Sequence, residues 1–140
     1  SRNIGVVQLP CPEFIFLGNP RPSATKDEYE NLPGFQACCE SLAVDSARHL
    51  ISLVTMARNP KIRLVAISGV ERSPTCGVKC TTRTVSGKTE YAEEKGLFLE
   101  FLEREMRNHG MEIPIVGLDM RNPRDFCRRL GDLLDKTSEE

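Results

Sequence analysis

Three short apolar runs in the sequence have the length and composition of strands that are buried on both faces. They cover residues 4–9, 64–67 and 113–118. Because strands of this kind need cover on both sides, the runs predict a mostly parallel sheet inside the protein. Three strands make a small sheet, so we expect either a further strand or a second copy of the chain, in a homodimer, to complete it.

Apolar residues recur at three- and four-residue spacing in three other segments, which is the pattern of helices with one buried face. These segments are residues 35–57, 97–106 and 123–134. Asn59-Pro60 is expected to end the first helix, and Asn122-Pro123 to begin the third. Strands and helices therefore alternate, which is typical of parallel sheets with right-handed crossovers. We predict one α/β domain over residues 1–140, a small Rossmann-like three-layer domain with a mostly parallel sheet flanked by helices.

Two long segments show neither pattern and are expected to be loops. Residues 10–34 contain several prolines and glycines, and residues 69–90 are rich in Ser, Thr and Gly. Long loops within compact domains are usually functional or mobile. The two loops are therefore the places where we look for chemistry.

The composition argues against several classes of partner. The formal net charge is −1, so no strong field attracts nucleic acid or an anionic membrane. No apolar run approaches the length of a transmembrane helix, and the first residues do not resemble a signal peptide. We expect a cytoplasmic protein without nucleic-acid or membrane partners. In that reducing compartment, the six cysteines favour metal binding or catalysis over disulfides.

Two of the cysteines follow predicted strands directly. Cys11 comes after the first apolar run and Cys76 after the second, and each has a neighbouring proline that stiffens the loop. In open parallel sheets the ligand crevice lies at the carboxyl ends of the strands, so the two thiols are expected to meet. Thiolates select zinc, copper(I) or iron–sulfur clusters. The alternative is that each cysteine is a small buried hydrophobe.

The other four cysteines have weaker signals. Cys39 lies on the apolar stripe of the first predicted helix, with Cys38 on a different face, and Cys80 follows Cys76 by four residues. Cys127 falls on the apolar side of the last helix and is expected to be structural. The two histidines are not near a predicted thiol site, which argues against a mixed Cys/His zinc site or a Cys–His pair.

Two further side chains near Cys11 and Cys76 are candidates for acid/base chemistry. Glu13 follows Cys11 by two residues and is the best candidate, although most glutamates are simply solvated. Ser73 precedes Cys76 by three residues, where its hydroxyl could serve the site or only a turn.

With these residues in view, the chain resembles the thiouracil desulfurase family of small iron–sulfur proteins, over roughly residues 4–120. Two cysteine motifs together make the resemblance fairly specific. The matching stretches are Leu9-Pro10-Cys11-Pro12-Glu13, Pro20-Arg21-Pro22, Glu71-Arg72-Ser73-Pro74-Thr75-Cys76-Gly77 and Ser86-Gly87-Lys88.

The resemblance implies a [4Fe–4S] cluster held by three cysteines, with one open iron that binds the sulfur of a thiolated nucleobase such as 2-thiouracil. Desulfuration would then release sulfide without net redox change. On this basis Cys11 and Cys76 correspond to two cluster ligands. Glu13 and Ser73 correspond to positions that assist protonation and hydrolysis.

One motif of the family is absent from this chain. The family carries its remaining ligand in a Cys-Leu-Leu-Gly-like motif that follows an earlier strand, and the present sequence has neither. Either the chain is an N-terminally truncated member, or another cysteine takes the place of the missing ligand. We expect Cys39 to be that ligand, with Cys38 and then Cys80 as rivals. A non-enzymatic metal- or cluster-binding protein with an incomplete site is the alternative function.

Overall fold

The computed structural model describes residues 3–138, in which helices and short strands alternate. The helices are α1 (Pro12–Leu17), α2 (Lys26–Glu30), α3 (Phe35–Met56), α4 (Leu97–Asn108) and α5 (Pro123–Ser138). The strands are β1 (Ile67–Val70), β2 (Thr81–Val85), β3 (Lys88–Ala92) and β4 (Ile115–Leu118). The three helices predicted from periodicity correspond to α3, α4 and α5, so helical periodicity predicted the larger elements correctly.

The strands form two separate pairs. β1 and β4 are parallel and in register from Ile67 opposite Ile115 to Val70 opposite Leu118. β2 and β3 form an antiparallel hairpin around Ser86 and Gly87, whose φ angles of 51° and 77° are both positive. A two-residue turn with positive φ at both positions matches the twist of the strands that it joins.

The prediction of a strand over residues 4–9 is wrong. Residues 4–9 belong to no strand, and residues 4–8 are exposed, with Val6 93% exposed. Leu9 alone in this run packs against the core. The apolar composition is that of a buried strand, but a strand also needs a hydrogen-bonding neighbour, and among the described residues β1 pairs with β4 only.

The fold class is therefore confirmed only at its coarser level. The described residues form a mixed α/β structure with a parallel pair and an antiparallel pair, rather than a Rossmann-like three-layer domain. The second predicted strand is displaced by three residues and begins at Ile67, because its partner β4 begins at Ile115.

The two predicted loops contain secondary structure. Residues 10–34 include α1 and α2, and residues 69–90 include the end of β1, all of β2 and the start of β3. Helix α2 begins with a capping box, in which the Thr25 hydroxyl accepts from the Glu28 N–H and the Glu28 carboxylate accepts from the Thr25 N–H. Helices of five or six residues are too short to show periodicity, which is why the sequence did not reveal them.

The core lies where α3 and α4 pack on each other and on the parallel pair. Its fully or nearly buried members are Ala43, Ala47, Leu50, Ile67, Val78, Phe98, Leu99, Leu102 and Met106. A second cluster, Tyr29, Phe35, Cys39 and Leu97, joins α2 to α3 and α4. Within residues 3–138, no helix has both the length and the apolar character that a membrane span requires.

Candidate functional site

Helix α1 fixes the positions of Cys11 and Glu13. Cys11 is the N-cap residue of the helix, with extended backbone angles, and its carbonyl accepts from the Ile15 N–H at 3.0 Å. Pro12 occupies the first helical position, where its missing N–H costs nothing, and its ring is buried. Cys11 therefore follows a segment without regular secondary structure and precedes a helix, rather than ending a strand as predicted.

Cys76 lies in a loop after β1 that is fastened to the beginning of α4. The Leu97 and Phe98 N–H groups donate to the Pro74 and Thr75 carbonyls at 2.9 and 3.0 Å, which satisfies helix donors that no side chain caps. A Cβ at Gly96 would collide with the Thr75 carbonyl group, so only glycine allows this approach. The loop therefore holds Cys76 on a rigid base.

The Ser73 hydroxyl shapes the same loop from inside. Its oxygen accepts from the Thr75 N–H at 3.3 Å and from the Cys76 N–H at 3.1 Å. The Ser73 carbonyl also accepts from the Gly77 N–H at 2.9 Å. Ser73 is thus next to Cys76, as the sequence predicted, and its hydroxyl oxygen binds the backbone of the loop.

Both carboxylate oxygens of Glu13 have partners from other parts of the chain. The Thr75 hydroxyl donates to Oε2 at 2.6 Å, and the Tyr29 hydroxyl donates to Oε1 at 2.9 Å. The Nε atom of Arg21 lies 3.6 Å from Oε1. Because the Glu13 side chain is only 14% exposed, these contacts fix a carboxylate that is largely shielded from water.

Thr75 links this carboxylate to Cys76. Its Oγ1 atom lies 3.5 Å from the Cys76 sulfur, and Thr75 is completely buried. The structure therefore connects α1 to the loop after β1 through the contact sequence Glu13, Thr75, Cys76.

Cys39 lies on α3, the helix that contacts α1, within the cluster that also contains Tyr29. It is completely buried, and burial raises the pKa of its thiol to about 12, with further increases from the negative charges of Cys38, Cys76, Glu13 and Cys11. Burial also raises the pKa of the Cys76 thiol, with smaller contributions from Cys11 and Glu13. The structure thus brings Cys11, Cys39, Cys76 and Glu13 within electrostatic reach of one another.

The other cysteines differ in their surroundings. Cys38 is half-buried beside Cys39. The Cys80 carbonyl accepts from the Arg72 N–H at 3.0 Å, and burial, followed by the charge of Glu71, raises the pKa of the Cys80 thiol. Cys127 is exposed, so the expectation that it packs on the apolar side of α5 is wrong.

A network of ion pairs between side chains holds α2 against the β2–β3 hairpin and α4. Lys26 is nearly buried, and its Nζ binds Glu94, Glu100 and the Lys95 carbonyl at 3.2, 2.8 and 2.8 Å. Arg83 shares Glu94 with Lys26 and also binds Asp27 and Glu30. Because Tyr29 lies on α2, this network also fixes the helix that contacts Glu13.

Sequence reasoning missed two residues that contact Glu13. Thr75 lies inside the quoted cysteine motif, between Pro74 and Cys76, and that position was the available signal. Tyr29 lies on a helix that the sequence did not reveal, 16 residues from Glu13, so no local pattern marked it. The contact depends on the packing of α2 onto α3, where the Tyr29 and Phe35 rings stack at 4.5 Å.

A shallow cavity of about 520 Å³ adjoins Cys11. Most of its lining is apolar, from Leu9, Pro10, Phe14 and Ile15, with Gln8 as a polar neighbour. Its volume is within the range of small-molecule sites. A second cavity, of about 420 Å³, lies beside Ile67 and Ile115, where β1 and β4 begin, and none of the candidate residues lines it.

Within the part of the chain that the structure describes, no group of three or more Cys, His, Asp or Glu side chains converges closely enough for one metal ion. The fold and site define a mixed α/β protein in which several thiols and a shielded carboxylate lie near the contact between α1 and the loop after β1.

The family model described as "Putative 2-thiouracil desulfurase" matches residues 1–113, and the chain belongs to that family. A protein of Methanocaldococcus jannaschii, "Uncharacterized protein MJ0003", is 33% identical over 78 residues, which are 56% of this chain and 46% of that protein. The chain therefore matches less than half of the length of that relative. No solved structure matches the chain significantly.

Proposed function

We propose that this protein removes sulfur from a thiolated nucleobase such as 2-thiouracil and releases it as sulfide. Family membership supports the activity, because the matching model carries the name of a desulfurase. The observation on which the proposal chiefly depends is the contact sequence from Glu13 through Thr75 to Cys76. It puts a fixed carboxylate beside a thiol from a different part of the chain.

The reaction is hydrolytic and balances without an oxidant or a reductant. Water adds its oxygen to the thiocarbonyl carbon, the carbon–sulfur bond breaks, and the sulfur leaves as hydrogen sulfide or its anion. The product carries C=O where the substrate carried C=S. The two protons of the water end on the leaving sulfur or in solvent, so a group that accepts and returns protons assists both steps.

The proposed cofactor is a [4Fe–4S] cluster bound by Cys11, Cys39 and Cys76. The donor set fits such a cluster, because all three candidates are thiols, and thiolates bind iron–sulfur clusters. The ligands of a cluster bind different irons, so they need not converge on one point as ligands of a single ion do. When bound, the cluster would supply a Lewis acid for the sulfur of the substrate.

The roles of the protein's own residues follow from their contacts. Glu13 is proposed as the general acid and base, since its carboxylate is fixed and Thr75 joins it to the candidate ligand Cys76. Ser73 is proposed to hold the loop so that Cys76 points into the site, because its hydroxyl accepts two N–H groups of that loop. The cavity beside Cys11 has the size and apolar lining that suit a planar ring.

Anaerobic preparation of the full chain tests the proposal directly. Iron and acid-labile sulfide are measured first, and sulfide release from 2-thiouracil is then followed at known cluster loading. Both iron and turnover are expected. Iron without turnover would favour the alternative of a non-enzymatic cluster-binding protein, and the absence of both would remove the cofactor and the activity together.

A further inference from the structure

The hydroxyl groups around Glu13 differ in what they contact. Thr75 Oγ1 donates to Glu13 Oε2 at 2.6 Å, whereas in the described part of the chain no hydrogen bond joins Ser73 to Glu13. Ser73 instead accepts from two backbone N–H groups and lies 3.4 Å from Thr75 Oγ1. Of these two loop hydroxyls, that of Thr75 is therefore the one that contacts the carboxylate.

The second oxygen of Glu13 has a donor of the same kind. Tyr29 is 2% exposed, its ring is stacked on Phe35, and its hydroxyl donates to Oε1 at 2.9 Å. A carboxylate that accepts at both oxygens from two buried, rigidly placed donors has its plane fixed in space. Arg21 lies on the same side at 3.6 Å, but its side chain is 27% exposed and less constrained.

We propose that Thr75 and Tyr29 are positioning residues that fix the orientation of Glu13, and that Thr75 couples this orientation to Cys76. The backbone supports this role for Thr75, because its carbonyl accepts from the Phe98 and Leu99 N–H groups at 3.0 and 3.2 Å. The consequence for kinetics rests on the proposed function, whereas the effect on Glu13 itself does not.

The decisive variant is Thr75→Val, which keeps the shape of the side chain and removes its hydroxyl group. Thr75→Ser restores the donor and is the rescue variant. The chain offers a matched control, because Thr81 is also fully buried and also donates to a glutamate, Glu94, at 2.7 Å. Thr81→Val therefore removes a bond of the same type, while Glu94 keeps Lys26 and Arg83 as partners, so α2 and Tyr29 stay in place.

At matched iron loading, Thr75→Val is expected to lower kcat for 2-thiouracil about a hundredfold, because a misplaced catalytic group costs rates of that order. KM should change much less, since Thr75 does not line the cavity beside Cys11. Thr75→Ser should stay within a few-fold of the parent, as should Thr81→Val. Equal kcat in Thr75→Val and the parent, or equal losses in Thr75→Val and Thr81→Val, would overturn the proposal.

A second measurement does not depend on activity. The chain has two tyrosines and no tryptophan, so Tyr91→Phe leaves Tyr29 as the sole source of aromatic emission at tyrosine wavelengths. A carboxylate that accepts from a tyrosine hydroxyl quenches its fluorescence. In the cluster-free full chain with Tyr91→Phe, Glu13→Gln is expected to raise the emission, and Thr75→Val should raise it partly by releasing Glu13.

Unchanged emission in both variants would overturn the positioning role whatever the activity. If the parent releases no sulfide from 2-thiouracil, the proposed function fails while the emission measurement still decides whether Thr75 fixes Glu13. If Thr75→Val does not fold, Tyr29→Phe provides an independent variant with the same expected loss in kcat. Its control is Tyr91→Phe, which changes an exposed tyrosine.

Discussion

Arg83 binds Glu94 through two parallel hydrogen bonds, from Nε to Oε1 at 2.6 Å and from Nη2 to Oε2 at 3.0 Å. Such a bidentate pair is stronger than a single contact and also fixes direction. Glu94 in turn accepts from Lys26 of α2, and Arg83 also binds Asp27 and Glu30 of the same helix. The pair therefore ties the hairpin to the helix that carries Tyr29, and through Tyr29 to Glu13.

The first prediction concerns acid stability. The hydrogen bonds from Arg83, followed by those from Thr81 and Lys26, lower the pKa of Glu94 from 4.5 to about 2, against the opposing effect of burial. A carboxyl group with a lowered folded pKa stabilises the fold fully above its unfolded pKa, and that stabilisation is lost as the pH falls. Thermal unfolding should therefore show Tm decreasing between about pH 4.5 and pH 2.

The Arg83→Met variant separates this contribution from general acid denaturation. It should lose about 2 kcal/mol at neutral pH, equivalent to roughly 5–10 °C in Tm, since it removes charge-assisted hydrogen bonds that are partly shielded. Its Tm should also depend less on pH in the acid range. Arg48→Met is the control, because Arg48 lies 3.9 Å from Asp45 and both side chains are exposed, so its loss of stability should be near zero. An equal Tm loss in the two variants would contradict the network's role.

A second prediction concerns the ionisation of Tyr29 at high pH. Burial, then the hydrogen bond to Glu13 and its charge, raise the pKa of Tyr29 from 10.0 to about 12. Absorbance titration of the Tyr91→Phe chain should show this single tyrosine titrating well above its ordinary value. Glu13→Gln should lower the pKa of Tyr29 while leaving the share due to burial in place.

The same shift predicts how stability changes at alkaline pH. A group with a raised folded pKa stabilises the fold fully below its unfolded pKa, here 10.0, and the stabilisation is lost as the pH rises toward about 12. Tm of the Tyr29→Phe variant should therefore fall less steeply over this range than Tm of the parent. If Tm falls equally steeply with alkaline pH in the two chains, the Tyr29 hydroxyl is not buried against Glu13.

The third prediction concerns Glu13 as the acid/base group. Glu13→Gln retains the size of the side chain but cannot exchange a proton, so sulfide release should fall by roughly a hundredfold or more at matched cluster loading. Iron content should not change, since Glu13 is not a proposed ligand. Glu28→Gln is an exposed control on α2. Undiminished turnover in Glu13→Gln would exclude Glu13 from the mechanism.

The sequence predicted the larger elements because long amphipathic helices have a signal of their own. Residues 35–57 and 97–106 showed the correct period, and α3 and α4 cover nearly the same positions. Residues 4–9 were wrongly predicted, because apolar composition cannot reveal whether a neighbouring strand is available to pair. The short helices α1 and α2 were missed because one turn has no period to detect.

The residues of the candidate site also divide into those with a local sequence signal and those without one. Cys11, Glu13, Ser73 and Cys76 carried local signals, since proline and glycine flank the two cysteines in recognisable motifs. Tyr29 and the Arg83 network carried none, because their contacts join segments separated by 11 to 74 residues. Contacts of this kind depend on how helices pack, which no spacing along the chain specifies.

The last prediction concerns the ligands of the proposed cluster. Cys11→Ser, Cys39→Ser and Cys76→Ser should each lose iron after anaerobic preparation, because a cluster with one open iron needs all three thiolates. Cys127→Ser is the control at an exposed position and should retain iron.

Cys39 is the proposed ligand that can be tested most sharply against its rivals, Cys38 and Cys80. The charges of Cys11 and Cys76 act on Cys39, whereas those with the largest effect on Cys80 are Glu71 and Arg72. Cys80→Ser should therefore retain iron while Cys39→Ser loses it. Cys38→Ser tests whether the neighbouring thiol on α3 is the ligand instead, and it should also retain iron. Thermal unfolding of the cluster-free variants controls for the buried position of Cys39. Full iron content in a folded Cys39→Ser chain would contradict the assignment, and iron loss in Cys80→Ser or Cys38→Ser would transfer it to that residue.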